Sequence, residues 1–252
     1  MRIGGFVDIS TKDIPERASM VLFTVGCNFQ CGYCHNKQLL QPQAGKEYKI
    51  RELLQKIKSN KLVGGISITG GEPTLQPDIR DFIKEISKLD KYISLDTNGS
   101  KPDILREVLP YLNRVALDVK APYNNRKLRK ITKTDINPTL LKKTFHLLNH
   151  GAKIDFEIRT TYEPNLLDPE DIHAILDFLQ DQEFRGNFIL QQYQYNEGVT
   201  EKFRDKFKRP PHFSLINILK PYVEKDLSFQ LFIRDEAVGY ENVKAAIKKF
   251  EE

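Results

Sequence analysis

The stretch Gly26-Cys27-Asn28-Phe29-Gln30-Cys31-Gly32-Tyr33-Cys34-His35-Asn36 holds all three cysteines of this 252-residue chain. Their spacing, Cys-x3-Cys-x2-Cys, places three thiolates around one site and supplies no fourth. An iron–sulfur cube ordinarily takes four cysteines, one per iron, so a three-cysteine set leaves one iron open for a substrate or cofactor. An odd, clustered set also argues against a disulfide framework and for a reducing, metal-bearing environment. The competing metal is zinc in a Cys3His site. His35 directly follows Cys34, which makes closure on the same ion awkward, and His146, His150, His173 and His212 show no paired-ligand spacing.

Outward from that stretch, short apolar runs alternate with amphipathic ones. Strands are predicted at Met20–Val25, Gly65–Thr69, Tyr92–Thr97, Arg114–Lys120, Lys153–Thr160, Asn187–Gln194 and Ser228–Arg234. Between them Ile50, Leu53, Leu54 and Ile57 share a helical face, as do Ile79, Phe82, Ile83 and Ile86. The same stripe returns at Ile172, Ile175, Leu176 and Leu179, and at Val243, Ala246, Ile247 and Phe250. Strand–helix alternation of this kind builds βα units around a parallel sheet. The expected fold class is α/β, a partial (β/α)6 TIM-like barrel open laterally, with short N-terminal and C-terminal extensions. No linker interrupts it, so 1–252 is expected to be a single domain, with a core over 18–200 and an extension over 201–252. The basic stretch Asn124–Thr134 and the segment Lys202–His212 read as surface insertions.

The charge balance, 39 basic against 34 acidic residues, is mildly basic and mixed along the chain. Mixed charge is ordinarily a soluble surface, so an acidic partner or nucleic acid is only weakly indicated. No apolar run approaches the roughly 20 residues needed to span a bilayer, and the first residues lack the apolar stretch of a signal peptide. A soluble, cytoplasmic, oxygen-sensitive protein is expected.

Polar groups cluster at predicted strand ends. The cysteine loop follows the first strand, Gly70-Gly71-Glu72-Pro73-Thr74 the second, Asp96-Thr97-Asn98-Gly99 closes the third, and Asp118 and Lys120 end the fourth. In a βα barrel, loops at the carboxyl ends of the strands form the active face. Taken singly, each has a plain reading: a strand-to-helix turn, an Asn-Gly turn, a surface ion pair. Arg159, at the end of the fifth strand, and Gln192, on the sixth, read equally as ordinary polar decoration or as parts of the same face.

The cysteine stretch resembles the signature of the radical S-adenosylmethionine superfamily, including Tyr33, the aromatic residue before the third cysteine. The resemblance implies a [4Fe–4S] cluster held by Cys27, Cys31 and Cys34, with the amine and carboxylate of S-adenosylmethionine on the fourth iron. Reductive cleavage would then give methionine and a hydrogen-abstracting 5′-deoxyadenosyl radical. Gly70-Gly71-Glu72 resembles the superfamily's GGE motif, which implies backbone contacts to the methionine amine, with Glu72 bracing the loop. Leu95-Asp96-Thr97-Asn98-Gly99 and Leu117-Asp118-Val119-Lys120 resemble the short activating enzymes of glycyl radical proteins. That implies cofactor contacts from Tyr33, Gly70, Gly71, Glu72, Ser94, Asp96, Asn98, Asp118, Arg159 and Gln192, and neutralisation of the methionine carboxylate by Lys120. Asp96, Thr97 and Asp118 are candidates to share a monovalent cation.

Pyruvate formate-lyase activases place a histidine near the sixth strand, where this chain has none between His173 and His212. The opening Ile3–Asp8 and the run Ala18–Cys27 look like the branch of anaerobic ribonucleotide reductase activating proteins. The expected partners are a glycyl radical enzyme, foremost that reductase, and a flavodoxin or ferredoxin-type electron donor. The alternatives are a radical enzyme acting on a small molecule or tRNA base, as deazapurine synthases do, a pyruvate formate-lyase activase, and a non-catalytic iron–sulfur or zinc module.

Overall fold

The computed structural model describes residues 1–151, 153–195 and 206–251. Of the expected surface segment Lys202–His212, residues 202–205 lie outside the described residues, as does the side chain of Phe250. The chain forms two compact units. The first comprises Met1–Gln30, Asn36–Leu117 and Thr139–Asp155; the second comprises Cys31–His35, Asp118–Pro138 and Phe156–Glu252.

The first unit is built on strands β1 (Arg2–Ile14), β2 (Arg17–Thr24), β3 (Lys46–Glu47), β4 (Gly65–Gly70), β5 (Tyr92–Thr97) and β6 (Arg114–Asp118), in the order β3-β1-β2-β4-β5-β6. From β2 to β6 neighbouring strands are parallel, with Leu22 opposite Ile68, Ile68 opposite Leu95, and Ser94 opposite Arg114. Met20, Val21, Leu22, Ile66, Ile68, Ile93 and Leu95 are all buried. Their apolar runs lack polar alternation because parallel strands are ordinarily covered on both faces. Helices α1 (Ile50–Ser59), α2 (Ile79–Ile86) and α3 (Pro102–Val108) fall between these strands in sequence. The expected stripe of α2 is fully used: Ile79, Phe82, Ile83 and Ile86 are all buried.

The long strand β1 pairs antiparallel with β2 through the turn at Pro15-Glu16, where Glu16 has a φ of 58°. Proline followed by a residue of positive φ is the geometry of a type II turn. The expected N-terminal extension is thus a 13-residue strand.

The second unit carries β7 (Asp155–Tyr162), β8 (Asn187–Gln192), β9 (Gln230–Asp235) and β10 (Gly239–Asn242). β7, β8 and β9 are parallel, and β10 returns antiparallel along β9. The segment 228–234 therefore adds a parallel strand beyond β8. Its helices are α4 (Asn125–Thr132), α6 (Pro169–Asp181), α7 (His212–Val223) and α8 (Val243–Glu251), while α5 (Pro138–Gly151) lies almost wholly in the first unit. The basic stretch expected as a surface insertion is helix α4, capped by Asn124 Oδ1, which accepts from Lys127 N. The reason is its small apolar face: Leu128, Ile131 and Thr132 are buried at helical spacing. Among the described residues, no helix is long and apolar enough to cross a membrane.

Candidate functional site

In the first unit the Gly70-Gly71-Glu72 turn leaves β4 against the backbone that leads into the cysteine stretch. Gly71 N donates to Thr24 O (2.9 Å) and Glu72 N to Gly26 O (2.8 Å). A Cβ on Gly71 would stand 2.1 Å from Gly26 O, and one on Gly70, whose φ is +117°, would stand 2.4 Å from Thr24 N. Glycine is required here by close approach of the chain's own backbone.

Glu72 is fully buried. Its Oε1 accepts from Thr74 N (3.1 Å), Thr74 Oγ1 (2.5 Å) and Thr97 Oγ1 (2.7 Å), and its Oε2 from Asn98 N (2.7 Å). Burial raises its pKa, and those hydrogen bonds pull it part of the way back down. With its oxygens occupied by these donors, Glu72 ties the turn after β4 to the end of β5.

Ser94 is also fully buried, and its hydroxyl accepts from Arg114 Nη1 (2.6 Å). Asp96 lies 3.7 Å from the same guanidinium. The side chain of Ser94 thus serves Arg114, a buried cation that sequence reading passed over. Its signal was weak: an arginine opening a strand reads as exposed edge, and only the register opposite Ser94 puts it inside. Asn98 donates from Nδ2 to Asn28 Oδ1 (3.0 Å) and to Cys27 Sγ (3.9 Å), while its Oδ1 accepts from Ser100 N (3.0 Å).

In the second unit Cys31 is buried and Cys34 half-buried, with Cys34 N donating to Cys31 O (3.1 Å). Lys120 Nζ donates to Asp118 Oδ2 at 2.8 Å. Burial depresses the Lys120 pKa, but Asp118, Tyr33 and Cys31 outweigh it and hold the ammonium well above its ordinary value. A cation thus stands beside one cysteine and one aromatic ring of the signature. Tyr33, His35 and Tyr193 pack as a ring cluster, with Tyr193 at 6.4 Å from Tyr33 and 5.6 Å from His35. Burial raises the Tyr33 phenol's pKa and lowers that of the His35 imidazole, leaving the latter neutral.

Arg159 and Gln192 both have partners within the protein. Arg159 is buried and pairs with Glu157 on its own strand. Gln192 donates from Nε2 to Pro210 O (2.7 Å) and accepts at Oε1 from Glu236 N (3.2 Å). Gln192 therefore anchors the segments that flank α7 and β9. Its neighbour Tyr193, read from the sequence together with Gln191 and Gln192 as a candidate for the same face, supplies the ring that meets Tyr33 and His35.

Among the described residues no three His, Cys, Asp or Glu side chains are already gathered as metal ligands. The fit to a cluster therefore rests on the donor set and its surroundings. Three soft thiols lie within eight residues, and N–H groups of Phe29 (3.4 Å) and Asn98 already point at Cys27 Sγ, as a thiolate ligand requires. The fit to a polar organic ligand rests on the second unit, where the Tyr33 and Tyr193 hydroxyls and His35 Nε2 are buried with no hydrogen-bond partner. Such atoms are rare in folded proteins and are ordinarily satisfied by something bound. Of the other histidines of this unit, His173 Nε2 meets Ile218 O at 2.9 Å and His212 pairs with Asp235, so the zinc alternative would fall to His35, whose place directly after Cys34 makes closure on the same ion awkward.

The radical SAM superfamily description matches residues 21–181. A protein of Methanocaldococcus jannaschii named as a glycyl-radical enzyme activating enzyme is 32% identical over 211 residues, covering 80% of this chain and 84% of that one. The pyruvate formate-lyase 1-activating enzyme of Escherichia coli is 28% identical over 242 residues, covering 89% of this chain and 95% of that one. Among solved structures, Streptococcus suis SuiB bound to the precursor peptide SuiA aligns with a TM-score of 0.66 at 19% identity, over 91% of this chain and 50% of SuiB. The chain thus spans about half the length of SuiB, and that likeness bears on fold alone: it bears out the expected α/β class of a partial barrel. The cofactors of this family are a [4Fe–4S] cluster and S-adenosylmethionine. This chain belongs to the radical SAM superfamily, in its branch of glycyl-radical enzyme activating enzymes.

Proposed function

We propose that this protein installs a radical on a backbone glycine of a partner glycyl radical enzyme, anaerobic ribonucleotide reductase, in the cytoplasm. Cys27, Cys31 and Cys34 would hold the cluster, and Lys120, kept charged beside Asp118, would face the carboxylate of S-adenosylmethionine. When bound, cluster and S-adenosylmethionine supply one-electron cleavage of a carbon–sulfur bond and a group that removes a hydrogen atom. The electron would come from a flavodoxin or ferredoxin-type donor. No side chain need act as a base, because glycine loses a hydrogen atom and not a proton.

The observation that carries this reading is the unsatisfied set of Tyr33, His35 and Tyr193 in a chain whose only cysteines are the signature three. A single cluster and a single cradle suit minimal hydrogen abstraction. Pyruvate formate-lyase activases carry a histidine near the sixth strand, and this chain has none between His173 and His212, which favours the reductase over pyruvate formate-lyase. The test uses anaerobically reconstituted, reduced protein with S-adenosylmethionine and either the reductase subunit or pyruvate formate-lyase. A glycine-centred paramagnetic doublet on the reductase, absent with Cys31→Ala, is expected. A doublet on pyruvate formate-lyase alone moves the assignment there. Formation of 5′-deoxyadenosine with neither doublet overturns both partners.

A further inference from the structure

The polar groups around Cys27 form a connected chain in the first unit. Ser100 N can only donate, so the Asn98 atom 3.0 Å away must be the carbonyl Oδ1. That fixes the amide, and both hydrogens of Asn98 Nδ2 are left for Asn28 Oδ1 at 3.0 Å and Cys27 Sγ at 3.9 Å. Asn28 is held in turn, donating from Nδ2 to Ser100 Oγ at 2.8 Å. The backbone N–H of Asn98 is fixed by the buried Glu72 carboxylate at 2.7 Å. An amide gripped at its backbone, its oxygen and one of its hydrogens has little freedom in where it aims the other. Asn98 is 7% exposed, so water does not compete strongly for that hydrogen.

The geometry points to Asn98 as a positioning residue that acts on the cluster through Cys27, raising its reduction potential, and does not contact S-adenosylmethionine. An N–H aimed at a ligand sulfur stabilises negative charge there, and the reduced cluster carries one more electron than the oxidised one. Removing the donor therefore makes reduction harder. The inference rests on Cys27 being a cluster ligand.

The test is the midpoint potential of the reconstituted protein without S-adenosylmethionine, followed by paramagnetic resonance during redox titration. Asn98→Leu, of similar volume but without donors, is expected to shift the potential to more negative values. Asn98→Asp, which keeps the shape and places an acceptor at the sulfur, is expected to shift it further the same way. Mere loosening of the loop predicts the opposite sign, because water admitted to the cluster stabilises its more charged state. Should both variants fail to hold a cluster, the wild-type protein labelled with 15N-asparagine serves instead. A coupling of an asparagine nitrogen to the reduced cluster is expected, and its absence overturns the proposal, as does an unshifted potential in Asn98→Leu. Cys27→Ala separates the two ways of failing. If the cluster assembles without Cys27, the ligand assignment is wrong; if it is lost while Asn98→Leu keeps the wild-type potential, only the role given to Asn98 falls.

Discussion

Glu72 in the first unit and Tyr193 in the second are both fully buried polar side chains just past the carboxyl end of a parallel strand. Glu72 has a donor on each oxygen from Thr74, Thr97 and Asn98, and the hydroxyl of Tyr193 has no partner. Burying an unpaired polar group costs about 1–3 kcal/mol. A completed network is therefore a scaffold, and an incomplete one is a surface waiting for a ligand. The contrast extends to the neighbours: Asn98, Ser100 and Asn28 are mutually bonded, whereas Tyr33 Oη and His35 Nε2 share the condition of Tyr193. Rigid support lies at the turns after β4 and β5, and the cradle lies with the rings.

The sharpest way to break this contrast is to damage the scaffold where it touches the cysteine stretch. Gly71→Ala would place a Cβ 2.1 Å from the carbonyl of Gly26, against backbone that cannot rotate away. We expect a loss of about 3 kcal/mol, read as a lowered denaturation midpoint, with cluster content falling alongside it. A variant of wild-type stability and iron content would mean that the turn is not held against Gly26.

Next in size is Glu72→Gln. The amide must turn an NH2 group towards hydrogens already donated by Thr74, Thr97 or Asn98, so about 2 kcal/mol should be lost near neutral pH. The pH dependence sharpens the test. Because burial raises the Glu72 pKa in the fold, its favourable contribution is complete below the unfolded carboxylate value and is lost as pH rises through the folded one. The wild type therefore gains stability from this group as the medium turns mildly acidic, and the glutamine variant does not. Urea midpoints of the two proteins should diverge as pH falls. Parallel curves would show that Glu72 is ionised without cost.

Sequence made the two regions legible to different degrees, for a physical reason. The parallel strands and the stripes of α2 and α6 were readable because each buries a continuous apolar run or a helical face. Strand β1 was not, since Gly4, Gly5 and a mostly polar tail hide a 13-residue strand whose pairing is set by the turn at Glu16. Of the scaffold's members, Asn28, Glu72, Thr74, Thr97 and Asn98 were quoted within motifs and Ser100 was not, and which of them face ligand was not written in their spacing. Ser94, Arg159 and Gln192 are polar residues at strand ends, yet Arg114, Glu157 and Pro210 claim them. Those partners are distant in sequence or ordinary in type. Arg114 escaped notice because nothing but three-dimensional register marks an arginine as buried, and Tyr193 could be read only as one of three polar residues on the sixth strand because nothing in its spacing marks a tyrosine as unsatisfied.

The smallest expected effect is the most discriminating. Tyr193→Phe deletes only a hydroxyl, and that hydroxyl lacks a partner in the ligand-free chain while its ring packs on Tyr33, His35 and Phe207. If the contrast with Glu72 is sound, the ligand-free protein loses no stability and can gain some, because an unpaired polar atom has been removed from the interior. The cost should surface only when S-adenosylmethionine is added, as affinity weakened about 5-fold, or about 1 kcal/mol for one hydrogen bond. Calorimetric titration of the reconstituted variant, set beside its melting curve without ligand, reads both quantities. Loss of stability without ligand, with affinity intact, would place Tyr193 in the scaffold with Glu72, and the cradle would then have to be sought around Tyr33 and Lys120 alone.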